Sequence, residues 1–171
     1  MTNLLKRFQN LFVNTSLALA LGLTLAITPA EAKIYTHPTG GIQFDAPNDW
    51  IATPEEDILV LTPKGGGVSV TFWVLGEDDM EEAIGALYKE LSNKMPEFES
   101  KHEEAQTTTL NGMEVVYDEG TAEIDGIPSE WSLAIIIAAK PVVVLTVGSE
   151  EAMAKYSSVG EKLVRSIKRA E

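Results

Sequence analysis

The chain has 171 residues, of which 13 are Lys or Arg and 26 are Asp or Glu, and it contains no cysteine. The resulting net charge of −13 argues against binding to nucleic acids or anionic lipids, because both interactions need clustered cations. Without cysteine, we expect no disulfides, no thiolate catalysis, no cysteine zinc site and no lipid anchor on an N-terminal cysteine. The length is typical of a single domain.

Residues 1–32 have the three parts of a secretory signal peptide. A basic start is followed by the apolar run 17–27, and Ala30 and Ala32 occupy the small-residue positions before a cleavage site. We therefore predict cleavage after residue 32, a mature domain over residues 33–171 and a periplasmic or secreted protein. The thylakoid lumen is the alternative compartment in a photosynthetic bacterium. A retained membrane anchor is the alternative to cleavage, but the apolar run is short against the roughly 20 residues that a spanning helix needs.

The stretch GIQFDAPNDW at residues 41–50 predicts a half-buried strand that ends in a turn. Ile42 and Phe44 alternate with polar residues until Pro47 stops the pattern. We expect the large ring of Trp50 to fold back over the sheet that the strand has left and to pack in the core. A ligand pocket around this ring is the alternative.

Two apolar runs at residues 58–62 and 68–75 are joined by the glycine-rich stretch PKGGG, which predicts a hairpin. The spacing of apolar residues then changes to that of a helix, from Asp79 to Met95. Pro96 ends this helix, because proline cannot continue the pattern of backbone hydrogen bonds.

Three turns are predicted in the second half of the chain, at Asn111-Gly112, Asp125-Gly126 and Lys140-Pro141. The strands on either side of the third turn contain three consecutive isoleucines, 135–137, and three consecutive valines, 142–144. A strand without a polar face is covered on both faces, so we expect these two strands to be central in the sheet.

A second amphipathic helix closes the chain, with Ser149 as its N-cap and basic residues near its C-terminal end. The order of elements is strands, helix, strands, helix, and most strands are joined by hairpins. This order predicts an α+β domain with a mainly antiparallel sheet of about six strands, flanked by the two amphipathic helices.

Several motifs begin like functional sites but lack a required part. His102 opens HEEAQ, but Gln106 stands where a zinc-protease helix needs its second histidine. Lys64 precedes the glycines of PKGGG, whereas the lysine of a phosphate loop follows them. The acidic runs 76–82 and 118–126 lack the ordered ligand spacing of a calcium loop. Weak metal binding without a dedicated site is the alternative for these runs. With no G-x-S-x-G motif either, we predict no catalytic residues, no cofactor and no dedicated metal site.

Two further tryptophans, Trp73 and Trp131, lie inside predicted strands among apolar neighbours. Packing in the core is the favoured interpretation, and stacking on a ligand is the alternative.

The stretch FESKHEEAQTTTL at residues 98–110 is the one predicted strand whose composition fits a sheet edge. An edge offers unpaired backbone groups to a partner strand. We interpret Glu99, His102, Glu103 and Glu104 as a candidate partner-binding edge, whose charge favours a basic protein.

The pattern of the chain resembles that of the PsbP/DcrB-like superfamily. The residues that carry this resemblance are Phe44, Pro47 and Trp50, the strand 68–75, the turns Asn111-Gly112 and Asp125-Gly126, Trp131, and the helix 156–166. The resemblance implies a central antiparallel sheet between helices. It also implies an accessory or partner-binding protein, since the superfamily has no shared catalytic set to carry over.

Together, these features predict a secreted, non-enzymatic accessory protein of the bacterial envelope that acts through protein–protein binding. A small-ligand or metal-binding periplasmic module is one alternative, motivated by the tryptophans and the acidic residues. A photosystem-associated PsbP-like protein of the lumen is another, and a hydrolase without a sequence signature ranks last.

Overall fold

The computed structural model describes residues 33–55, 58–76 and 80–170. The predicted signal peptide, residues 1–32, lies outside the described residues. The strands are β1 (Lys33–His37), β2 (Ile42–Ala46), β3 (Trp50–Glu55), β4 (Ile58–Pro63), β5 (Val68–Val74), β6 (Glu99–Ser100), β7 (Gln106–Leu110), β8 (Met113–Ile124), β9 (Ile127–Ile137), β10 (Pro141–Ser149) and β11 (Lys168–Arg169), and the helices are α1 (Met80–Lys94) and α2 (Glu150–Ser166).

The strands of the described chain form two antiparallel sheets. The large sheet has eight strands in the order β3-β4-β5-β10-β9-β8-β6, and β7 also pairs with β8. The small sheet has the order β1-β2-β11. The α+β class and the mainly antiparallel sheet are confirmed, but the predicted number of about six strands was wrong.

The additional strands lack the pattern that identifies a strand from sequence. β6 and β11 have two residues each, which is too short for any alternation. β3 contains Pro54, and proline is tolerated within a strand mainly at sheet edges. The C-terminal strand, β11, is defined only by its tertiary pairing, since Lys168 and Arg169 pair with Gln43 and Ile42 of β2.

The two apolar strands β9 and β10 lie in the middle of the large sheet, as predicted. β10 pairs with β5 on one side and with β9 on the other. Ile136 and Val142 are buried towards one face, while Ile135 and Val143 are buried towards the other. Both faces of these strands therefore contribute to a core.

The two helices cover opposite faces of the large sheet. On the face that we call the α2 face, Leu163 and Ile167 of the C-terminal region pack with Phe44 of the small sheet. The ring of Phe44 stacks on Phe72 of β5, with 4.2 Å between ring centroids. On the opposite face, the α1 face, Leu87 and other residues of α1 pack over β8, β9 and β10.

The predicted Asn-Gly and Asp-Gly turns and the predicted N-cap of α2 are present, while the predicted helix start at Asp79 lies outside the described residues. Asn111, Gly112, Asp125 and Gly126 all have positive φ, at 49°, 77°, 53° and 78°, which is the backbone conformation that these residue types tolerate. The side chain of Ser149 accepts a hydrogen bond from the N–H of Ala152 and caps α2.

Trp50 is buried in the core on the α2 face of the large sheet. It is 7 % exposed and belongs to the same apolar cluster as Ile42 and Phe44 of β2, the strand that precedes it. The turn that begins at Pro47 carries the chain from the small sheet to the large one, and Trp50 opens β3 there. Its ring meets Tyr156 of α2 edge-on, with 5.8 Å between centroids. The turn thus joins two sheets, which the sequence pattern does not reveal.

Candidate functional site

The predicted partner-binding residues lie at the edge of the large sheet, along the outer side of β8. β6 pairs with Gly120 and Thr121 near the C-terminal end of β8, and β7 pairs with its N-terminal half. Between them, the chain passes Asp118, and the N–H of Lys101 donates to the carbonyl of Glu119 at 2.8 Å. We call residues 99–110 the edge segment.

An aromatic stack supports the start of the edge segment. Phe98 stacks on Trp131 of β9 with 4.5 Å between centroids, and the indole N–H of Trp131 donates to the carbonyl of Thr121 at 3.0 Å. Gly120 leaves room for this arrangement, since a Cβ there would lie 2.6 Å from Cζ2 of Trp131 and would also clash with the carbonyl oxygen of Glu99. The edge therefore depends on the absence of a side chain at position 120.

A buried carboxylate holds the middle of the edge segment. Asp118 is only 3 % exposed, and it is surrounded by polar groups from three elements. Oγ of Ser100 lies 2.8 Å from its oxygens, Nδ1 of His102 lies 3.0 Å away, and the hydroxyl of Tyr88 on α1 donates at 2.9 Å. The N–H of Glu119 also donates to it at 2.8 Å. Because Ser100 and His102 belong to the edge segment, these bonds join that segment to β8 and α1.

The surroundings keep this carboxylate charged. Burial opposes the ionisation of Asp118, but the hydrogen bonds from His102, Ser100, Tyr88 and the N–H of Glu119 outweigh burial and lower the pKa of Asp118 below its ordinary value. Burial, together with the hydrogen bond to Asp118, raises the pKa of the Tyr88 phenol. The phenol therefore stays protonated and remains a donor to the carboxylate.

A serine, a histidine and an aspartate meet here, but their geometry differs from that of a hydrolase triad. In a triad the serine hydroxyl bonds one imidazole nitrogen while the aspartate bonds the other. Here Ser100 and His102 both bond Asp118, and Oγ of Ser100 accepts the backbone N–H of His102 at 3.0 Å. This arrangement joins a segment of chain to β8, and the serine hydroxyl bonds the carboxylate rather than the imidazole.

The outer side of the edge segment is acidic and exposed. Glu99, Glu103 and Glu104 all project into solvent, whereas the side chain of His102 is 30 % exposed because it turns towards Asp118. All three glutamates are therefore exposed along the edge segment, whereas His102 belongs to the polar contacts around Asp118. Lys101 forms long contacts of 3.7 and 3.9 Å with Glu119 and Glu130.

β7 completes the edge as a free strand. Among the described residues it pairs only with β8, so its outer backbone groups face away from the sheet. The side chains from Gln106 to Thr109 are exposed on both of its faces. Such a strand can accept another strand through main-chain hydrogen bonds.

The sequence analysis missed Asp118, Ser100 and Tyr88 as members of this site. The sequence does contain a signal for Asp118. It lies at every second position with Val116, Gly120 and Ala122, and these four residues share the inward face of β8. An acid at an inward position needs hydrogen-bond partners. Nothing local identifies Tyr88, which reaches Asp118 from a helix 30 residues earlier in the chain.

The remaining structural motif residues of the sequence analysis lie in or beside the core. Phe44, Trp50 and Trp131 are buried, and Pro47 accepts the N–H of Trp50 in the turn between the sheets. In the described ranges, no three His, Asp or Glu residues are grouped so that they could hold a metal ion. Within the same ranges, no helix is both long and apolar enough to cross a membrane.

Comparison with known proteins finds similarity only in three dimensions. No protein-family model matches the chain, and no curated protein matches its sequence. Cyanobacterial PsbP (CyanoP) from Synechocystis sp. PCC 6803 is similar in structure, with a TM-score of 0.56 and 14 % identity over 87 % of this chain and 98 % of CyanoP.

Two further solved structures have the same fold. LpqN of Mycobacterium tuberculosis, described as involved in cell envelope biogenesis, gives a TM-score of 0.55 and 13 % identity over 82 % of this chain and 91 % of its own. A Pseudomonas aeruginosa protein of unknown function gives 0.54 and 10 % identity over 82 % and 99 %. These likenesses confirm the PsbP-like fold that the resemblance implied.

Proposed function

We propose that this chain is a non-enzymatic accessory protein of an extracytoplasmic compartment, and that it binds a basic protein partner along the edge segment. The observation that carries the proposal is the free strand β7 beside three exposed glutamates, on a segment that is fixed to the body of the protein by Asp118.

The backbone of β7 supplies the attraction for a partner strand. Its outer N–H and C=O groups are open, and the exposed residues from Gln106 to Thr109 include three threonines, which favour extended conformations. The hydrogen bonds of Ser100 and His102 to Asp118 hold the residues that precede β7 in one arrangement. Binding therefore does not have to order this part of the edge, and the entropic cost of association is lower.

The glutamates supply selectivity. Glu103 and Glu104 shortly precede β7 in the chain, and Glu99 lies in β6 on the same side of β8. None of the three has a described basic partner within ion-pair distance. They would speed the approach of a basic surface and repel an acidic one. The net charge of −13 for the whole chain acts in the same direction at longer range.

The proposed location rests on the export signal predicted for residues 1–32 and is compatible with the neighbours of the same fold, which include CyanoP and a protein of cell envelope biogenesis. The periplasm and, in a photosynthetic bacterium, the thylakoid lumen both fit. Intact mass of the exported protein tests this part, since it should begin at Lys33. A product that retains residues 17–27 would indicate an anchored protein instead.

Site-specific photo-crosslinking in the native organism tests the binding edge. A photoreactive residue at Thr108 of β7 should yield an adduct with one protein, identified by mass spectrometry. The same residue at Thr53 of β3, an exposed position on the opposite edge, should not. Adducts of equal yield from both positions, or adducts from neither, would contradict the proposal.

Charge reversal provides a second, matched test. E103K combined with E104K should reduce the Thr108 adduct and flatten its salt dependence. D45K combined with D49K, which changes the charge equally at exposed positions near the small sheet, should leave the adduct unchanged. Equal loss in both double variants would mean that only the net charge matters.

A further inference from the structure

A cavity of about 240 Å³ opens on the α1 face of the large sheet, away from the edge segment. Its floor is made by β4, β5, β9 and β10, and its sides are the glycine loop at Gly66-Gly67 and the hairpin turn from Ile124 to Ile127. None of the described residues of α1 lines it. The helix therefore covers one part of this sheet face and leaves the other part open.

The floor of the cavity changes from apolar residues to hydroxyls. Ile58 of β4 and Trp73 of β5 belong to the core beneath α1, but Thr62, Ser69 and Thr71 follow on the same faces of the two strands and line the cavity. Val60 and Thr71 are direct partners across the two strands, so the Thr71 hydroxyl lies beside an apolar lining residue of β4.

The hydroxyl of Thr71 faces the cavity, because it has no other described partner. Thr71 is only 4 % exposed, and its hydroxyl bonds no other described residue. Among the described residues, no fully buried side-chain oxygen or nitrogen lacks a hydrogen-bond partner, so this oxygen must reach the cavity space. A hydroxyl that is removed from bulk water without a partner is costly, whereas a valine of the same shape would be tolerated there. The hydroxyl is therefore available to a molecule within the cavity.

The remaining lining restricts the charge of such a molecule. No Lys, Arg or His side chain of the described chain lines the cavity, and Asp125 at the rim is its one charged lining residue. An anion would find no counterion and would be repelled by Asp125. Ile127, which is 55 % exposed, and Ile124 form an apolar lip that an amphipathic molecule would cover.

We propose that this cavity binds a small, uncharged, amphipathic molecule, whose hydroxyl or carbonyl group bonds Thr71 and its neighbours and whose apolar part covers Ile124 and Ile127. An apolar cavity of about 150 Å³ accommodates benzene, so the space here suits a molecule of about ten non-hydrogen atoms. The proposal is independent of the edge segment, because no residue from 99 to 110 lines the cavity.

Three probes with the same six-carbon chain test the proposal: hexan-1-ol, hexylammonium and hexanoate. The protein is expressed from the full-length gene with ¹⁵N label, and the amide signals are followed by NMR. Hexan-1-ol should cause saturable shifts at Ser69, Thr71 and Val147, and hexanoate should bind at least tenfold more weakly. The absence of saturable shifts with hexan-1-ol would overturn the proposal, as would equal binding of hexanoate or tighter binding of hexylammonium.

A pair of threonine variants locates the hydrogen bond. Thr71→Val removes the hydroxyl but keeps the shape, and it should weaken hexan-1-ol binding by roughly 2- to 12-fold, the equivalent of one neutral hydrogen bond. Thr146→Val is the matched control, because Thr146 pairs with Val70 and faces the α2 face of the same sheet. Equal affinities of the two variants would remove Thr71 from the site. The comparison of probes on the unmodified protein stands even if a variant folds poorly.

Discussion

The two edges of the large sheet are stabilised by different interactions. At the β3 edge, the ring of Trp50 is buried against Tyr156 of α2, and Pro54 withholds a backbone donor. At the opposite edge, a buried carboxylate holds the edge segment and β7 stays free along its outer side. One edge of the sheet is thus held by apolar burial and carries a proline in its strand. The other edge combines an aromatic stack with contacts to a buried carboxylate and remains open to a partner.

The largest effect is expected from removing the apolar support of the β3 edge. Trp50→Ala should lower the free energy of unfolding by about 3–5 kcal/mol, the usual range for deletion of a buried aromatic ring. Ile51→Ala, at the exposed neighbouring position, should change it by less than about 0.5 kcal/mol. Chemical denaturation measures both. A stable Trp50→Ala protein that loses affinity for a small molecule would instead indicate a ligand pocket at this ring.

A side chain at position 120 should disturb the opposite edge. Gly120→Ala places a Cβ against Trp131 and the backbone of Glu99, and we expect a loss of about 1–3 kcal/mol from this overpacking. Gly160→Ala in α2 is the control, since a Cβ there meets nothing within 4 Å and alanine favours a helix. Denaturation midpoints that fall equally in both variants would contradict the role of Gly120.

Removal of the Asp118 charge should loosen the same edge, with a loss of unfolding free energy similar to or smaller than that of Gly120→Ala. Asp118→Asn keeps the shape but replaces one acceptor oxygen by a donor, and it should cost about 1–3 kcal/mol at neutral pH. Hydrogen exchange at the amide of Lys101, which bonds Glu119, should become faster, while exchange in β3 should not change. Asp45→Asn, at an exposed position, serves as the control.

The pH dependence of this effect follows from the lowered pKa of Asp118. A carboxyl whose pKa is lower in the folded state contributes stability that is complete above its unfolded pKa and is lost as the pH falls through the folded value. The stability difference between the unmodified protein and Asp118→Asn should therefore be constant at neutral pH and shrink below about pH 3.8, the ordinary value for this group. A difference that persists unchanged down to pH 2 would contradict the assignment.

The smallest effect on stability is expected at the acidic outer side. E103K with E104K should alter the free energy of unfolding by no more than about 0.5 kcal/mol, because both side chains are exposed. The same double variant should nevertheless weaken partner binding, mainly through a slower association rate. This combination of unchanged denaturation and slower association would separate the binding surface from its anchor. Unchanged association across a salt series would exclude the glutamates from binding.

Features that depend on near neighbours in the chain could be predicted from the sequence. The turns at Asn111-Gly112 and Asp125-Gly126 need residues that tolerate positive φ, and Ser149 caps a helix whose pattern begins beside it. The central position of β9 and β10 follows from their lack of a polar face. The fold class was predictable for the same reason, since alternation, helical spacing and hairpin turns are all short-range properties.

Contacts between distant parts of the chain were decided only by the tertiary structure. Tyr88 and Asp118 are 30 residues apart, and Asn111 donates to the carbonyls of Arg165 and Ile167 across more than 50 residues. The pairing of β11 with β2 and the partial cover of one sheet face by α1 likewise depend on strand order and helix placement. The sequence determined which residues are apolar, acidic or hydroxyl-bearing. The packing of helix and sheet determined which of them meet, because each such contact requires the chain on both sides of it to be folded.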